Sequence, residues 1–292
     1  MSSQGLTSAP SRVGARSGSA SRTIADSQDI MLLLMEYDRF AEIYGVWADT
    51  AAHAGANLEF YVSAYVAADG PVVELGIGDG RIAIEAARRG RHVIGVDLSP
   101  VMLARCHQRA DREGILDRLS LLEADFRTFT LPEPAALIAL PYHSLGHLTT
   151  AGDKRDAFRH VHAQLAPGGR FVFDDFLMSP ARIAYMRQVQ LRAEYRGPGG
   201  RDTLLWVTSL VDELEQTIRV ITWEDELDDQ GALERRRYRP LSLSWLSPSQ
   251  TRALLEEAGF TVEACYGDFR GTVFDPARAE EQVWVARKGL AA

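Results

Sequence analysis

The chain has 292 residues, 46% of them hydrophobic, with 32 Lys and Arg against 40 Asp and Glu for a net charge of −8. That apolar fraction can build a sizeable core and excludes a chain disordered throughout, while the acidic balance counts against nucleic acid as a partner. Two cysteines, Cys106 and Cys265, make neither a disulfide framework nor a cysteine-based metal site, and no apolar run reaches the roughly 18 residues that cross a bilayer; a cytoplasmic protein with no membrane partner is expected.

Residues 1–27 are rich in Ser, Gly and Arg, with almost nothing to bury, and are expected to form a disordered tail. From Asp29 onward Met31, Leu34, Met35, Tyr37, Phe40, Ile43, Tyr44 and Trp47 recur at helical spacing, and a second helix is expected over 58–66 after a break at Gly55-Ala56-Asn57. The apolar run 71–75 ends in glycines and reads as a buried parallel strand. A strict alternation follows: helix 81–89, strand 92–96, helix 100–112, strands 120–123 and 136–140, helix 154–165, a Pro167-Gly168-Gly169 turn and strand 170–174. Such alternation demands right-handed crossovers, so the expected fold is α/β, a doubly wound (Rossmann-like), mostly parallel sheet.

The pattern then changes. Residues 203–227 and 232–245 alternate apolar and polar residues around an Asp228-Asp229-Gln230-Gly231 turn. The domain plan is therefore a tail over 1–27, N-terminal helices and core over 28–177, and an antiparallel β insertion over 178–246 covering the sheet's carboxyl edge. Residues 247–292 supply a helix over 249–258 and closing strands over 260–265 and 282–287. The insertion would serve as an acceptor lid, a homodimer interface, or both.

The densest signal is Val72-Val73-Glu74-Leu75-Gly76-Ile77-Gly78-Asp79-Gly80-Arg81. Glycines at alternate positions after a buried strand let the backbone turn tightly and approach a ligand, and the helix behind offers unpaired N–H groups and a positive dipole end. Asp97, 17 residues past Gly80, ends the next strand and suits the two hydroxyls of a ribose. A further 28 residues on, Asp125-Phe126 sets an acid beside a ring, which suits an adenine. Dinucleotide sites space their glycines as G-x-G-x-x-G, and Glu74 would repel a pyrophosphate yet complement an ammonium or sulfonium. The set favours S-adenosylmethionine over NAD, with an NAD-dependent oxidoreductase and a catalytically silent binding module as the other classes.

As an ordered set, E-L-G-I-G-D-G-R, V-I-G-V-D-L-S with Met102, E-A-D-F and A-P-G-G-R-F-V-F resemble class I S-adenosylmethionine-dependent methyltransferases over about 70–175. The resemblance implies Gly76, Gly78 and Gly80 around the methionine moiety, where the charge of Glu74 also makes it a cofactor-binding candidate, Asp97 on the ribose, and Leu98 and Met102 beside the adenine. Asp125 and Phe126 would sit at the adenine edge, with Leu140 also on the cofactor side. The product would be S-adenosyl-L-homocysteine.

Acceptor residues in a doubly wound fold lie beyond the carboxyl ends of the strands, which points to the stretch 140–148. There His143 and His147 are candidate catalytic groups, able to take a proton from a nucleophile or orient it. S-L-G-H-L resembles the loop of small-molecule N-methyltransferases that dimethylate amino sugars in antibiotic pathways, in which the loop histidine lies in the acceptor pocket; it maps onto His147. E-Y-D-R-F-A-E-I-Y resembles their entry helix, where a tyrosine closes over the cofactor, and so implicates Tyr37 and Tyr44. Tyr142 and Asp175 are substrate-binding candidates, Asp175 as an anionic wall for a cationic amine. Asp174 and Asp175 invite a metal, but Pro141-Tyr142 stands where metal-dependent catechol methyltransferases carry an acid, so none is expected. In the run 234–239, strand alternation sends Arg235, Arg237 and Arg239 to one face, to meet an anionic acceptor or to form a solvated edge. The expected activity is methyl transfer to a small molecule at an amine nitrogen, with oxygen and carbon as alternatives.

Overall fold

Strands of four to six residues with both faces apolar cannot be left facing water, and in a computed structural model they stack side by side beneath helices. The structure describes residues 38–50, 54–197 and 199–290; the tail over 1–27 and Tyr37 lie outside the described residues. β1 (Val72–Leu75), β2 (Val93–Asp97), β3 (Leu119–Glu123), β4 (Ala135–Leu140) and β5 (Leu165–Phe176) are parallel neighbours, and β11 (Glu281–Lys288) pairs antiparallel with β5 and with β10 (Phe260–Tyr266). The sheet order is β10-β11-β5-β4-β1-β2-β3, so the strand order reverses between β1 and β4. A crevice opens at such a reversal, beyond the carboxyl ends.

The helices are α1 (Tyr44–Asp49), α2 (Ala54–Ala67), α3 (Arg81–Arg88), α4 (Pro100–Arg112), α5 (Ala151–Gln164), α6 (Pro180–Met186) and α7 (Pro248–Glu257). Side chains close their open N-termini: Ser99 accepts from the Met102 N–H at α4, Thr150 from Asp153 at α5, and Ser247 with Gln250 forms a capping box at α7. α2 starts earlier than its sequence pattern suggests, with Gly55-Ala56-Asn57 inside its first turn. The first N–H groups of a helix need no intrahelical partner, so poor helix formers are tolerated there. β5 likewise runs through Pro167-Gly168-Gly169 as a bulge, its register jumping from Ala135↔Leu165 to Leu137↔Arg170.

Residues 190–244 build a second, antiparallel sheet of β6 (Gln190–Arg196), β7 (Asp202–Asp212), β8 (Thr217–Leu227) and β9 (Leu233–Ser244), in that order. One face buries Leu205, Val207, Ile218, Val220, Leu241 and Leu243 against Phe40, Ile43, Tyr44, Trp47 and Phe176. At roughly 1.5–3 kcal/mol per buried aliphatic side chain, that seam fixes the sheet over the carboxyl edge of the first. The basic run of β9 is largely spent on β8: Arg236 pairs with Asp225 at 2.6 Å, Arg237 with Glu226 at 2.7 Å, and buried Arg239 with Glu224 at 2.6 Å. Opposite charges across neighbouring strands stabilise the pairing register, so three of these arginines serve the sheet itself, while Arg235 stays exposed.

Candidate functional site

After β1 the chain passes Gly76, Gly78 and Gly80 with φ of 64°, 57° and 83°, a region that costs a residue with a Cβ roughly 1–2 kcal/mol. Space is short as well. A Cβ on Gly76 would stand 3.1 Å from Ser144 Oγ and 3.3 Å from the Phe126 ring, and one on Gly80 would stand 2.6 Å from Cys106 Sγ. Asp97, 4% exposed, accepts from the N–H groups of Gly78 at 2.8 Å and Ser99 at 2.9 Å, which ties the loop to the start of α4. Burial raises its pKa against the pull of those N–H groups.

Behind the loop, burial pushes Glu74 up to about 8, with the Tyr65 hydroxyl and Arg81 opposing the rise. Glu74 Oε2, Asn57 Nδ2 and Asp79 Oδ1 are buried without a hydrogen-bond partner among the described residues. Unpaired buried polar atoms are costly, and a ligand that carries both an ammonium and a carboxylate would satisfy them. The methionine end of S-adenosylmethionine has that chemistry, and the residues present fit it. Leu98 is half-buried and Met102 fully buried at the start of α4. Phe126 reaches Gly76, whereas the Asp125 carboxylate is engaged by Arg127 at 2.7 Å. Leu140 belongs to the core with Leu75 and Val96 and is 1% exposed, so it braces the crevice from beneath and is no wall of it.

A cavity of about 340 Å³ lies beyond β4 and β5, under the inner face of the second sheet, and is lined mainly by aromatic and aliphatic side chains. Tyr44, Tyr142, His143 and His147 meet there; burial raises both phenols. His147 closes the 3-10 turn Ser144–His147. Burial, then the charge of Lys154, lowers its pKa to about 4, so the imidazole is neutral at physiological pH. Lys154, only 1% exposed, donates from Nζ to the Leu145 carbonyl at 2.9 Å and to the Ser244 carbonyl at 3.3 Å, and burial lowers it to about 8.

His143 has a different role from its neighbour. Tyr142 and His143 sit in the left-handed region at φ 61° and 57°, and their N–H groups both donate to Asp174 at 2.9 Å; the Tyr61 hydroxyl also donates to it, at 2.5 Å. The His143 ring stacks on Phe176 with centroids 4.1 Å apart, and its Nε2 lies 2.8 Å from Glu281. Burial would lower this imidazole, but the Glu281 and Asp174 carboxylates outweigh it and raise its pKa. Glu281 feels the converse: burial pushes it up, and His143 with Arg182, 3.0 Å away, bring it down to about 2. His143 is thus committed to a carboxylate and is a poor proton acceptor. Asp175 does not form an anionic wall of the cavity. It points to the other face of β5, fully buried, where it accepts from the N–H groups of Phe176 at 2.8 Å and Leu246 at 3.2 Å. No group of three or more metal-ligating side chains converges among the described residues.

Residues 72–169, from β1 to the bulge of β5, match the family model of a methyltransferase domain. This segment is a methyltransferase domain. An uncharacterized methyltransferase of Geobacillus kaustophilus is 35% identical over 36% of this chain and 46% of its own length. The chain spans about half the length of the first curated relatives it matches. The 27-O-demethylrifamycin SV methyltransferase of Amycolatopsis mediterranei is 26% identical over 82% of this chain and 91% of its own. Among solved structures, an amino pentose methyltransferase from Micromonospora echinaspora, involved in calicheamicin biosynthesis, shares the fold with a TM-score of 0.60 and 23% identity, over 83% of this chain and 91% of that one.

The methyltransferase domain supplies both loops of the site, and the rest of the chain supplies what encloses them. Glu281, Arg182 and Lys154 escape a reading of the sequence. Glu281 lies 138 positions from the histidine it holds, and Lys154 looks like one more charged residue on an amphipathic helix. For Lys154 the one available signal is its place three residues before the buried pair Ala157-Phe158.

Proposed function

We propose that this protein transfers the methyl group of S-adenosylmethionine to an amine nitrogen of a small molecule held in the cavity under the second sheet. The observation that carries the reading is the half-buried, neutral His147 that lines the mostly apolar cavity, on the same turn as Ser144, which closes on the glycine loop. The bound cofactor supplies an already activated methyl group. Glu74, Asn57 and the glycine loop would hold its methionine end, Asp97 its ribose, and Leu98, Met102, Phe126 and Asp125 the surroundings of its adenine.

A free amine with a pKa near ~10 is mostly protonated in water, and transfer into an aromatic cavity favours its neutral form. An imidazole with a pKa of about 4 stores a proton poorly but accepts a hydrogen bond well. His147 therefore orients the amine N–H so that the lone pair faces the methyl group. When bound, the cofactor would give up its methyl group to that lone pair and keep the electron pair of the bond it loses, and the amine proton would leave to solvent. A hydroxyl acceptor would need a stronger base than this imidazole, which favours nitrogen over oxygen. The protein otherwise contributes alignment and exclusion of water.

The same reading places the protein in the cytoplasm, on small amines of natural-product type, with the second sheet as lid and as homodimer contact. The stacked Trp206 and Trp223 and exposed Tyr238 on that sheet's outer face support the contact. Methyl-labelled S-adenosylmethionine incubated with separate pools of small amines, small hydroxyl compounds and RNA tests the reading, with Asp97→Ala as cofactor-site control. Label entering the amine pool and lost in the variant is expected; label in hydroxyls or RNA would overturn the acceptor class.

A further inference from the structure

The ionisable groups that line the cavity are mostly balanced against one another. Arg182 ends on Glu281 at 3.0 Å, and Glu281 also holds His143. Arg192 on β6 differs. Its guanidinium lies 4.6 Å from the centre of the Trp47 ring, its Nε donates to Thr50 Oγ1 at 3.0 Å, and one terminal nitrogen reaches the Trp47 carbonyl at 3.4 Å. Among the side chains described, no carboxylate is paired with it. Its charge is felt at Tyr142, on the core side of the same cavity.

We infer that Arg192 is an anion subsite of the acceptor cavity, and that the acceptor carries a carboxylate as well as its amine. The inference rests on the methyl-transfer reading above and names its substrate class. Stacking on an indole and two anchoring hydrogen bonds fix the plane of the guanidinium, so little conformational freedom is lost when an anion docks. A planar fork of N–H donors matches the two oxygens of a carboxylate. A single guanidinium calls for a single negative charge, fewer than a nucleoside diphosphate brings. The cavity, about 340 Å³, sits at the small end of ligand sites, roughly 300–1,000 Å³, and suits a compact amino-acid-like molecule.

The test uses the full chain and matched probes that differ only in the acid: L-proline against L-prolinamide and L-tyrosine against tyramine, with phosphoethanolamine as the phosphate probe. A prior titration with S-adenosylhomocysteine judges the methyltransferase reading separately. Binding of each probe to the S-adenosylhomocysteine-loaded protein is then followed by ligand-observed NMR, and methyl transfer by label. The acid of each pair should bind roughly ten- to hundred-fold tighter, as a charge-assisted hydrogen bond implies. Arg192→Gln should bring the pair within about threefold while leaving S-adenosylhomocysteine affinity unchanged, and Arg192→Lys should restore part of the preference. Equal binding of the two members, a preference that survives Arg192→Gln, or phosphoethanolamine outranking the acids would each overturn the inference. Methyl transfer confined to prolinamide and tyramine would overturn it while sustaining the amine reading.

Discussion

Glu74 gives a quantitative handle on the cofactor site. It is 3% exposed, and burial lifts its pKa from 4.5 to about 8, so at pH 7 about 0.9 of the population carries a proton. An ammonium placed beside it would favour the carboxylate and expel that proton. Binding of S-adenosylhomocysteine should therefore release close to one proton at pH 7, and affinity should climb about fiftyfold from pH 6 to 8, most steeply below pH 7. Calorimetric titration in buffers of different ionisation enthalpy reads the release directly. Glu74→Gln should abolish both the release and the pH dependence. The free protein adds a second reading. Because the folded pKa lies above the unfolded value, the group's stabilising contribution is complete below about 4.5 and is lost as pH rises through 8. A shift from 4.5 to about 8 caps the loss at roughly 5 kcal/mol, so Glu74→Gln should be the more stable protein at pH 8 and should lose that advantage near pH 4. Equal affinity at pH 6 and 8 with no proton release would refute the reasoning, since it would mean that Glu74 is already ionised or does not meet the ligand's ammonium.

Gly80→Ala should lower stability by roughly 1–3 kcal/mol in thermal unfolding and weaken S-adenosylhomocysteine binding, because the new Cβ would lie 2.6 Å from Cys106 Sγ at a φ of 83°. Lys154→Met removes the charge that opposes protonation of His147, so the imidazole should titrate above its present value of about 4 by NMR. In the wild type, Lys154 binds its proton less well folded than unfolded, so stability should rise by roughly 3 kcal/mol between pH 8 and 10.5; the variant should lack that rise. Glu281, held at about 2, contributes stability that is complete above 4.5 and lost as pH falls through 2. Acid unfolding of Glu281→Gln should be shallower in that window by roughly 3 kcal/mol, and its His143 should titrate lower.

Legibility in the sequence followed the range of the interactions involved. The glycine loop, Asp97 and the parallel core were readable because each rests on local rules, backbone freedom or strand burial, that show within ten residues. β6 was not: Gln190–Arg196 is an edge strand with mixed faces, and α6 is a seven-residue helix too short to display a period. In the sequence Asp174 and Asp175 read as an acidic pair with Asp175 on the acceptor side, whereas the strand turns them to opposite faces. Which of them faces the acceptor depends on Tyr61, Tyr142 and His143 converging on Asp174 and on Leu246 and Lys154 flanking Asp175. The sequence singled out His147 only through its loop resemblance and kept His143 as a second candidate; Glu281, contributed by the last strand, is what sets the two apart.

The end of β5 carries the floor of the cavity on one face and the tether of the second sheet on the other. Asp174 fixes the backbone of Tyr142 and His143, while Asp175 holds Leu246, and Gln282 bridges the carbonyls of Phe176 at 2.9 Å and Leu246 at 2.8 Å. Second sheet and cavity floor are therefore inherited together. A chimera that borrows another protein's second sheet to change acceptor choice would join cleanly only if positions 174–176, 244–246 and 282 travelled with it, and point changes at β5 would be felt on both faces at once.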